Sequence, residues 1–261
     1  MEQESDVALA KAAMPSSLKT LEGLYVAAPD NRTIVLYLAA GYCGYAGFVQ
    51  DDWEAAVIDK RFQDARALAD HAARMFTRCM NYGLRLLGPR WQETIYGPAR
   101  DVQALLPDVP RGSASALLWT AVGLAGVINM KQSDMAVVAH LSKVELLFQR
   151  VLQLDESLEN AMAHLMLGAL ACGAGAGVGG RPEEGEKYFE RARALTEGRF
   201  LTVQVMHARL CGVSRQDRVF FRQTLQEVLR TPPSIWPEQR LANELAHLKA
   251  RRYLQHESDW F

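Results

Sequence analysis

The stretch VLQLDESLENAMAHLMLGAL (residues 151–170), followed by GEKYFERAR (residues 185–193), decides the fold class of this chain. Tetratricopeptide-type repeats of about 34 residues pair two helices and need a small residue where those helices cross. Leu154-Asp155-Glu156 fits the end of one helix and a turn, and Gly168 fits a crossing point in the next helix. Phe189 and Ala192 supply a large and a small residue to the second helix. The stretch predicts a joint between two helical hairpins, which favours a binding scaffold over a catalyst.

The connection between these helices, residues 172–180, is rich in glycine and about five residues longer than a standard hairpin turn. It indicates a degenerate repeat, so a solenoid of uniform repeats is not expected. The glycines also form a GxGxxG string at 175, 177 and 180. No strand pattern precedes the string, and Glu183-Glu184 would repel a pyrophosphate. We therefore interpret it as a hairpin turn and not as a dinucleotide site.

The rest of the chain shows the same helical pattern. Apolar residues recur at three- and four-residue spacing, and no alternating strand pattern is bounded by hairpin dipeptides. The predicted fold is all-α, with tetratricopeptide-like hairpins packed into one compact domain over residues 1–261 and with a central pore as an option. A proline-rich, irregular connector is expected from Trp91 to Pro110, and residues 89–111 are the candidate division into halves. Helices are predicted at about 16–25, 31–49, 51–87 with a break near Ile58, 113–129, 133–153, 157–172, 182–196, 201–211, 215–230 and 237–255.

Charge and composition exclude several classes of partner. Lys and Arg number 29 against 30 Asp and Glu, so no basic excess is present that would favour nucleic acid or anionic lipid. Two uncharged stretches, 112–130 and 160–180, approach the roughly 20 residues that cross a bilayer. Both contain polar or glycine residues, and we interpret them as helices enclosed by other helices. The polar start MEQESD carries no export signal, which leaves a cytoplasmic protein or one whose signal has been removed.

No motif in the sequence predicts catalysis, a metal or a cofactor. The six histidines never occur in HxxxH or HExxH spacing, and no GxSxG elbow is present. The four cysteines lack CxxC spacing, so we interpret them as apolar core residues. A disulfide between Cys43 and Cys79 stays open for an oxidising compartment, and the state of Cys172 and Cys211 is not predicted.

Aromatic residues are the most suggestive candidates for a ligand site. Tyr37, Tyr45 and Phe48 lie near one face of a predicted helix that also carries Tyr42. Core packing is the simpler interpretation, and the wall of a ligand cavity is the alternative. Trp119, in an uncharged helix, has the same two interpretations. A cavity lined by the uncharged helices would be apolar, and so would its ligand.

The chain resembles the T-component family of TRAP-associated solute transport systems, which are all-helical, tetratricopeptide-like periplasmic lipoproteins. Each stretch alone is only a helical pattern, and the combination in this order is the specific feature. The stretches are LAAGYCGYAGFVQ (38–50), ARALADHAARMFTRCMNYGLRLL (65–87), ALLWTAVGLAGVIN (116–129), VLQLDESLENAMAHLMLGAL (151–170), GGRPEEGEKYFERARALTEGR (179–199), LANELAHLKARRYL (241–254) and ESDWF (257–261).

The resemblance implies a non-catalytic homotrimer with a passage through each subunit, tethered to a membrane only by a lipid anchor. The protein would bind or hand over a small hydrophobic ligand together with a periplasmic solute-binding P-component. The signal peptide and the lipid-bearing cysteine of such a precursor are not seen in this sequence. Five residues match aromatic or polar positions within apolar helices of the family pattern and are the implied pore-lining candidates: Tyr42, Tyr45, Trp119, Asn129 and Asn243.

Two other functions compete with this interpretation. A general tetratricopeptide adaptor would bind a protein or peptide partner in a concave groove, and such grooves usually carry Lys, Arg and Asn. The candidate first helices are almost uncharged, which argues against an adaptor. An enzyme with a site assembled from distant residues is the third interpretation, which the missing motifs disfavour.

Overall fold

The computed structural model describes residues 3–173 and 180–261, and within them the chain is helical without a strand, as predicted. Residues 174–179, which include two glycines of the GxGxxG string, lie outside the described residues. The helices are α1 (Val7–Ala27), α2 (Arg32–Ile58), α3 (Phe62–Leu87), α4 (Pro89–Thr94), α5 (Ala99–Leu105), α6 (Ala114–Met130), α7 (Met135–Val138), α8 (Leu141–Leu154), α9 (Leu158–Gly173), α10 (Pro182–Leu195), α11 (Leu201–His207), α12 (Arg218–Arg230) and α13 (Arg240–Gln255).

The chain folds as two compact units. The N-terminal unit is Lys11–Asp155, and the C-terminal unit is Glu156–Phe261 with residues 3–10. Residues 89–111, where the sequence indicated a division, lie inside the N-terminal unit. The organisation as one T-component-like domain stays a prediction.

The first helix begins earlier than predicted. The expected start was Ser16-Ser17 after Pro15, but α1 begins at Val7 and continues through Pro15. Asp6 supplies the start signal, because its carboxylate accepts a hydrogen bond from the Leu9 amide at 2.9 Å. The hydroxyl of Ser17 instead donates back to the Ala13 carbonyl at 3.0 Å, which is the usual behaviour of serine inside a helix.

The proline-rich connector also differs from the prediction of irregular structure. Pro89 stands in the first turn of α4, and Pro98 directly precedes α5. Proline suits these positions because the first amides of a helix have no intrahelical acceptor. The prolines therefore begin short helices here and do not break longer ones.

The helix predicted at 133–153 is two helices. Asp134 caps α7 by accepting hydrogen bonds from the Ala136 and Val137 amides, and α8 begins only at Leu141. Near the start of α8, Lys143 is 1% exposed and donates to the carbonyls of Ile95 and Gly97 at 2.7 and 2.8 Å. Burial lowers the pKa of this lysine. A lysine thus fixes the segment between α4 and α5 onto α8.

The core of the N-terminal unit lies where α2, α3 and α6 pack together. Both α2 and the segment Arg111–Met130 are long and apolar enough to cross a membrane. In the second, however, 78% of the most apolar 18-residue stretch is buried inside the protein. The interpretation of α6 as an enclosed core helix is therefore confirmed. Gly123 of α6 allows the closest approach, because a Cβ there would lie 2.7 Å from the Met80 backbone nitrogen and 2.8 Å from the Phe76 carbonyl of α3.

The C-terminal unit contains the predicted hairpin of α9 and α10. Gly168 is the crossing point, since a Cβ there would lie 2.8 Å from the ring of Phe189, and Phe189 and Ala192 are fully buried. This close approach was predicted and is confirmed. The beginning of α9 is irregular, because Glu159, Asn160 and Ala161 all have positive φ. Beyond the hairpin, α11 continues into a π-helical turn at Ala208–Gly212. Helix α12 packs against both, and α13 packs against α11 and α12.

All four cysteines form disulfides, which corrects the interpretation of them as simple apolar residues. Cys43 pairs with Cys79, the bond that the sequence left open, and Cys172 pairs with Cys211, which was not predicted. The cysteines of the second pair are 39 residues apart and carry no spacing signal. In the folded chain the packing of α9 against the π-helical turn places their sulfur atoms side by side.

Candidate functional site

The structure places four of the five candidate residues in the N-terminal unit and the fifth in the C-terminal unit. Tyr42 and Tyr45 lie on α2, and Trp119 and Asn129 lie on α6. Tyr42, Tyr45 and Trp119 belong to one hydrophobic cluster with side chains of α3. Asn243 lies on α13. The structure therefore places the three aromatic candidates in one hydrophobic cluster and the two asparagines in separate environments.

Tyr42 is 3% exposed, and its hydroxyl points into a polar cluster around Glu22 of α1. The Glu22 carboxylate accepts hydrogen bonds from the hydroxyls of Tyr42 at 2.5 Å and Tyr82 at 3.3 Å and from Arg78 at 2.8 Å. Lys19 donates to the other carboxylate oxygen at 2.5 Å. Charged donors and acceptors make such bonds stronger than neutral ones. This cluster attaches α1 to α2 and α3.

The electrostatics of this cluster keep both tyrosines protonated. Burial, reinforced by the neighbouring Glu22 carboxylate, raises the pKa of Tyr42 and of Tyr82 to about 12. Burial alone would raise the pKa of Glu22, but the hydrogen bonds from Lys19 and Tyr42 outweigh it and the pKa is lowered. At neutral pH the carboxylate is an acceptor and the phenols are donors, so the arrangement is suited to holding helices together and not to proton transfer.

Tyr45 and His71 form a second pair, and we use the name aromatic wall for this pair together with Trp119 of the neighbouring hydrophobic cluster. The half-buried Tyr45 ring meets the His71 ring edge to face, with centroids 5.8 Å apart. Trp119 is 9% exposed and packs in the same cluster. The Nε2 atom of His71 is buried and has no hydrogen-bond partner among the described residues. Burial, followed by the nearby charge of Arg74, lowers the pKa of His71, so the ring favours its neutral form.

His71 is the residue of this wall that sequence reasoning missed. It stands alone in the sequence, without a metal-ligand or catalytic spacing, and only the packing of α3 on α2 brings it to Tyr45. The other aromatic residues of α2 have mixed environments: Phe48 is 8% exposed and Tyr37 is 61% exposed. The helical face predicted for Tyr37, Tyr45 and Phe48 is therefore buried at Phe48 and exposed to solvent at Tyr37.

The two asparagines differ in their surroundings. The side chain of Asn129 accepts one hydrogen bond from Gln132 at 2.8 Å near the surface. Asn243 is fully buried and bonded on both sides of its amide. Its oxygen accepts from the Leu201 amide at 2.9 Å, and its nitrogen donates to the carbonyls of Arg199 at 3.0 Å and Pro233 at 3.2 Å. Asn243 thus joins the start of α11 to α13 and to the turn before it.

The sequence model of the TRAP transporter T-component family matches residues 3–261. The chain belongs to the TRAP transporter T-component family. No curated protein matches it. Membership assigns this T-component an accessory role in TRAP transport and a periplasmic or membrane-associated location.

An open cleft with a volume of about 470 Å³ lies in the C-terminal unit of this T-component. It is lined by residues 5–8, where α1 begins, and by Glu244, Leu248 and Arg251 of α13. The cleft carries acidic, basic and apolar groups, and none of the five candidate residues lines it. Residues 3–173 and 180–261 hold no group of three His, Cys, Asp or Glu side chains arranged for a metal ion. The pore and its lining residues stay predictions.

His207 is a buried titratable group in the C-terminal unit of this T-component. Its ring stacks on Phe189 with centroids 5.0 Å apart and meets Phe220 edge to face at 4.8 Å. Its Nε2 atom is buried without a hydrogen-bond partner among the described residues. Burial lowers the pKa of His207 to about 4, helped by Arg215 and Arg193 and opposed by Glu186. The neutral ring is therefore part of the packing between α10, α11 and α12.

This environment predicts an acid-labile C-terminal unit. The pKa of His207 falls from 6.5 in the unfolded chain to about 4 in the fold. The contribution of the neutral ring to the free energy of unfolding is therefore complete above pH 6.5. It is lost as the pH drops from about 6.5 to about 4, since the unfolded chain then binds the additional proton. We expect His207→Phe to remove about 2–3 kcal/mol of this acid destabilisation. Urea denaturation at pH 7 and pH 4 measures the difference.

An NMR titration of His207 provides the control for that comparison. The ring is expected to titrate well below its ordinary range in the native protein. A midpoint near the ordinary value, or an unchanged pH dependence in the Phe variant, would contradict the prediction.

Proposed function

We propose that this T-component binds a small apolar ligand without chemical change and passes it to or from a periplasmic solute-binding P-component. Family membership across residues 3–261 is the observation that carries the proposal. The aromatic wall adds support, because it combines aromatic rings on α2 and α6 with a buried polar atom, His71 Nε2, that has no hydrogen-bond partner among the described residues. Ligand sites commonly combine a mostly apolar lining with a few polar groups that orient the ligand.

The proposal includes a lipid-anchored homotrimer with a tetratricopeptide-like body and a pore through each subunit. The α9–α10 hairpin supports the repeat-like part, since its crossing at Gly168 and Phe189 follows the small-against-large packing of such repeats. The aromatic wall is our first choice for the pore lining, because the Nε2 atom of His71 has no hydrogen-bond partner among the described residues and the Tyr45 ring is half-buried. Tyr42, Trp119 and Asn129 are the other proposed residues of the N-terminal unit, and Asn243 is the proposed residue of the C-terminal unit.

Sedimentation velocity tests the assembly and the partner. We expect the chain alone to sediment as a trimer and to form a faster-sedimenting complex with a purified TRAP solute-binding P-component at micromolar concentration. A monomer that leaves the P-component unbound contradicts the proposal. A complex that forms with extended peptides in place of the P-component would favour the adaptor.

A variant pair tests the ligand site. The probe is 1-anilinonaphthalene-8-sulfonate, an anionic dye whose apolar aromatic rings bind apolar sites with a rise in fluorescence. We expect Tyr45→Ala to weaken dye binding about fivefold, corresponding to the loss of about 1 kcal/mol of aromatic contact. Tyr96→Ala is the matched control, because Tyr96 is 56% exposed and lies outside the aromatic wall. Equal affinities of both variants would place the ligand away from Tyr45.

A further inference from the structure

The four cysteines are paired in their order along the chain. Cys43 and Cys79 are 36 residues apart and both lie in the N-terminal unit, while Cys172 and Cys211 are 39 residues apart and both lie in the C-terminal unit. Four cysteines allow three pairings. The pairing in the structure is the one in which each cysteine bonds to its nearest neighbour in sequence and neither bond links the two units.

Both disulfides are enclosed by the core. All four cysteines are at most 5% exposed. Cys79 Sγ lies 3.2 Å from the Trp119 carbonyl of α6, so the first bond lies between three helices. Cys172 Sγ fills the space beside Gly185 of α10, which leaves no room for a Cβ there. Thiol–disulfide exchange needs access of a thiolate to sulfur, so these bonds must form before the helices close over them.

We propose that this chain is a substrate of an extracytoplasmic thiol–disulfide oxidase, which makes both bonds during folding without help from a disulfide isomerase. A chain that emerges N-terminus first presents Cys43 and Cys79 before Cys172 and Cys211. An oxidase that joins cysteines as they appear therefore produces the native pairing directly. The proposal rests on the proposed function only for the oxidising compartment.

The chemistry of each bond is a two-step exchange. A cysteine thiolate of the chain attacks the disulfide of the oxidase, which forms a mixed disulfide and releases one oxidase thiolate. The second cysteine thiolate then attacks the chain's sulfur in the mixed disulfide and displaces the other oxidase thiolate. The two chain cysteines are oxidised, and the oxidase disulfide is reduced to a dithiol that takes up the two protons. Two such cycles complete the protein.

The test expresses the full chain behind a cleavable export signal in three bacterial strains: wild type, lacking the periplasmic thiol oxidase, and lacking the periplasmic disulfide isomerase. Newly made chains are quenched with acid, alkylated and weighed. In the wild type we expect no alkylated thiol and a mass about 4 Da below the reduced chain, because each bond removes two hydrogens. A non-reduced digest should contain the native pairs only.

The strain without the oxidase tests whether the oxidase makes the bonds, and the strain without the isomerase tests whether the isomerase is dispensable. Without the oxidase, most newly made chains should carry four alkylated thiols, and without the isomerase the product should match the wild type. Four free thiols in the wild type, or native pairing that requires the isomerase, overturns the proposal. The number of alkylated thiols and the identity of the disulfide pairs do not depend on binding of a ligand or a P-component. Failure of this proposal can therefore be distinguished from failure of the proposed function.

Two variants with equal numbers of cysteines keep the test independent of folding yield. The variant Cys172→Ser/Cys211→Ser retains the first native pair, and it should still form the Cys43–Cys79 bond in the wild-type strain. The variant Cys79→Ser/Cys172→Ser retains Cys43 and Cys211, which belong to different units. They are consecutive cysteines in this variant, so an oxidase that joins cysteines as they appear should bond them, and their persistence as thiols would show that the fold, and not the order of the cysteines, selects the pairs.

Discussion

A chain carrying Asn243→Leu is expected to lose about 3–5 kcal/mol of its free energy of unfolding. Leucine has a similar volume but leaves three backbone groups without a partner: the Leu201 amide and the carbonyls of Arg199 and Pro233. Each buried polar group left unsatisfied costs about 1–3 kcal/mol. Two of the three bonds are only partly buried, so the expected total lies below the sum for three fully buried groups. Urea denaturation followed by circular dichroism measures the loss.

Asn129→Leu is the matched control for this substitution. Asn129 makes one surface hydrogen bond to Gln132, so its replacement should change stability by less than about 0.5 kcal/mol. The pair also separates two roles for Asn243. If Asn243→Leu unfolds at the same urea concentration as the parent chain but no longer binds the fluorescent dye, Asn243 lines the ligand site and is not mainly a structural residue.

Gly123→Ala is expected to destabilise the N-terminal unit by about 2–3 kcal/mol, although alanine is the better helix former. The new methyl group would meet the Met80 backbone nitrogen and the Phe76 carbonyl at distances that real Cβ atoms do not adopt. Backbone atoms in the middle of α3 do not move aside as a flexible side chain does, so the helices must separate. Thermal and urea denaturation of the full chain measure the effect.

Gly47→Ala of α2 is the control for Gly123→Ala. Gly47 also lies inside a helix, but a Cβ there meets nothing within 4 Å. It should gain about 0.5–1 kcal/mol from helix propensity alone. Equal effects of the two substitutions would contradict the close approach of α3 and α6.

Most helices of this protein were predictable because their signals are local. Asn31 caps α2 through hydrogen bonds to the Thr33 and Ile34 amides, and Pro182 with Glu183-Glu184 begins α10, both as the sequence indicated. The errors occurred where two local signals compete. At Pro15 and in the 89–111 segment the prolines were interpreted as boundaries, whereas the chain uses them inside or at the start of helices.

The sites were less predictable because their partners are distant along the chain. Lys143 contacts carbonyls 46 and 48 residues away, and Asn243 contacts the Leu201 amide 42 residues away. A sequence pattern reports which residues share a helical face, but it does not report which other helix covers that face. His71 and the second disulfide were missed for the same reason.

The sequence by itself determined the all-helical class, the order of the main helices, the crossing at Gly168 and membership of the T-component family. Those properties depend on apolar spacing, caps and small residues, which act within one helix or one hairpin. Only the tertiary structure decided the division at Asp155 and Glu156, the burial of both disulfides in the core, and the roles of Tyr42 and Asn243 as hydrogen-bonded core residues. These depend on which helices pack together, because packing determines which polar atoms lose water and which neighbours replace it.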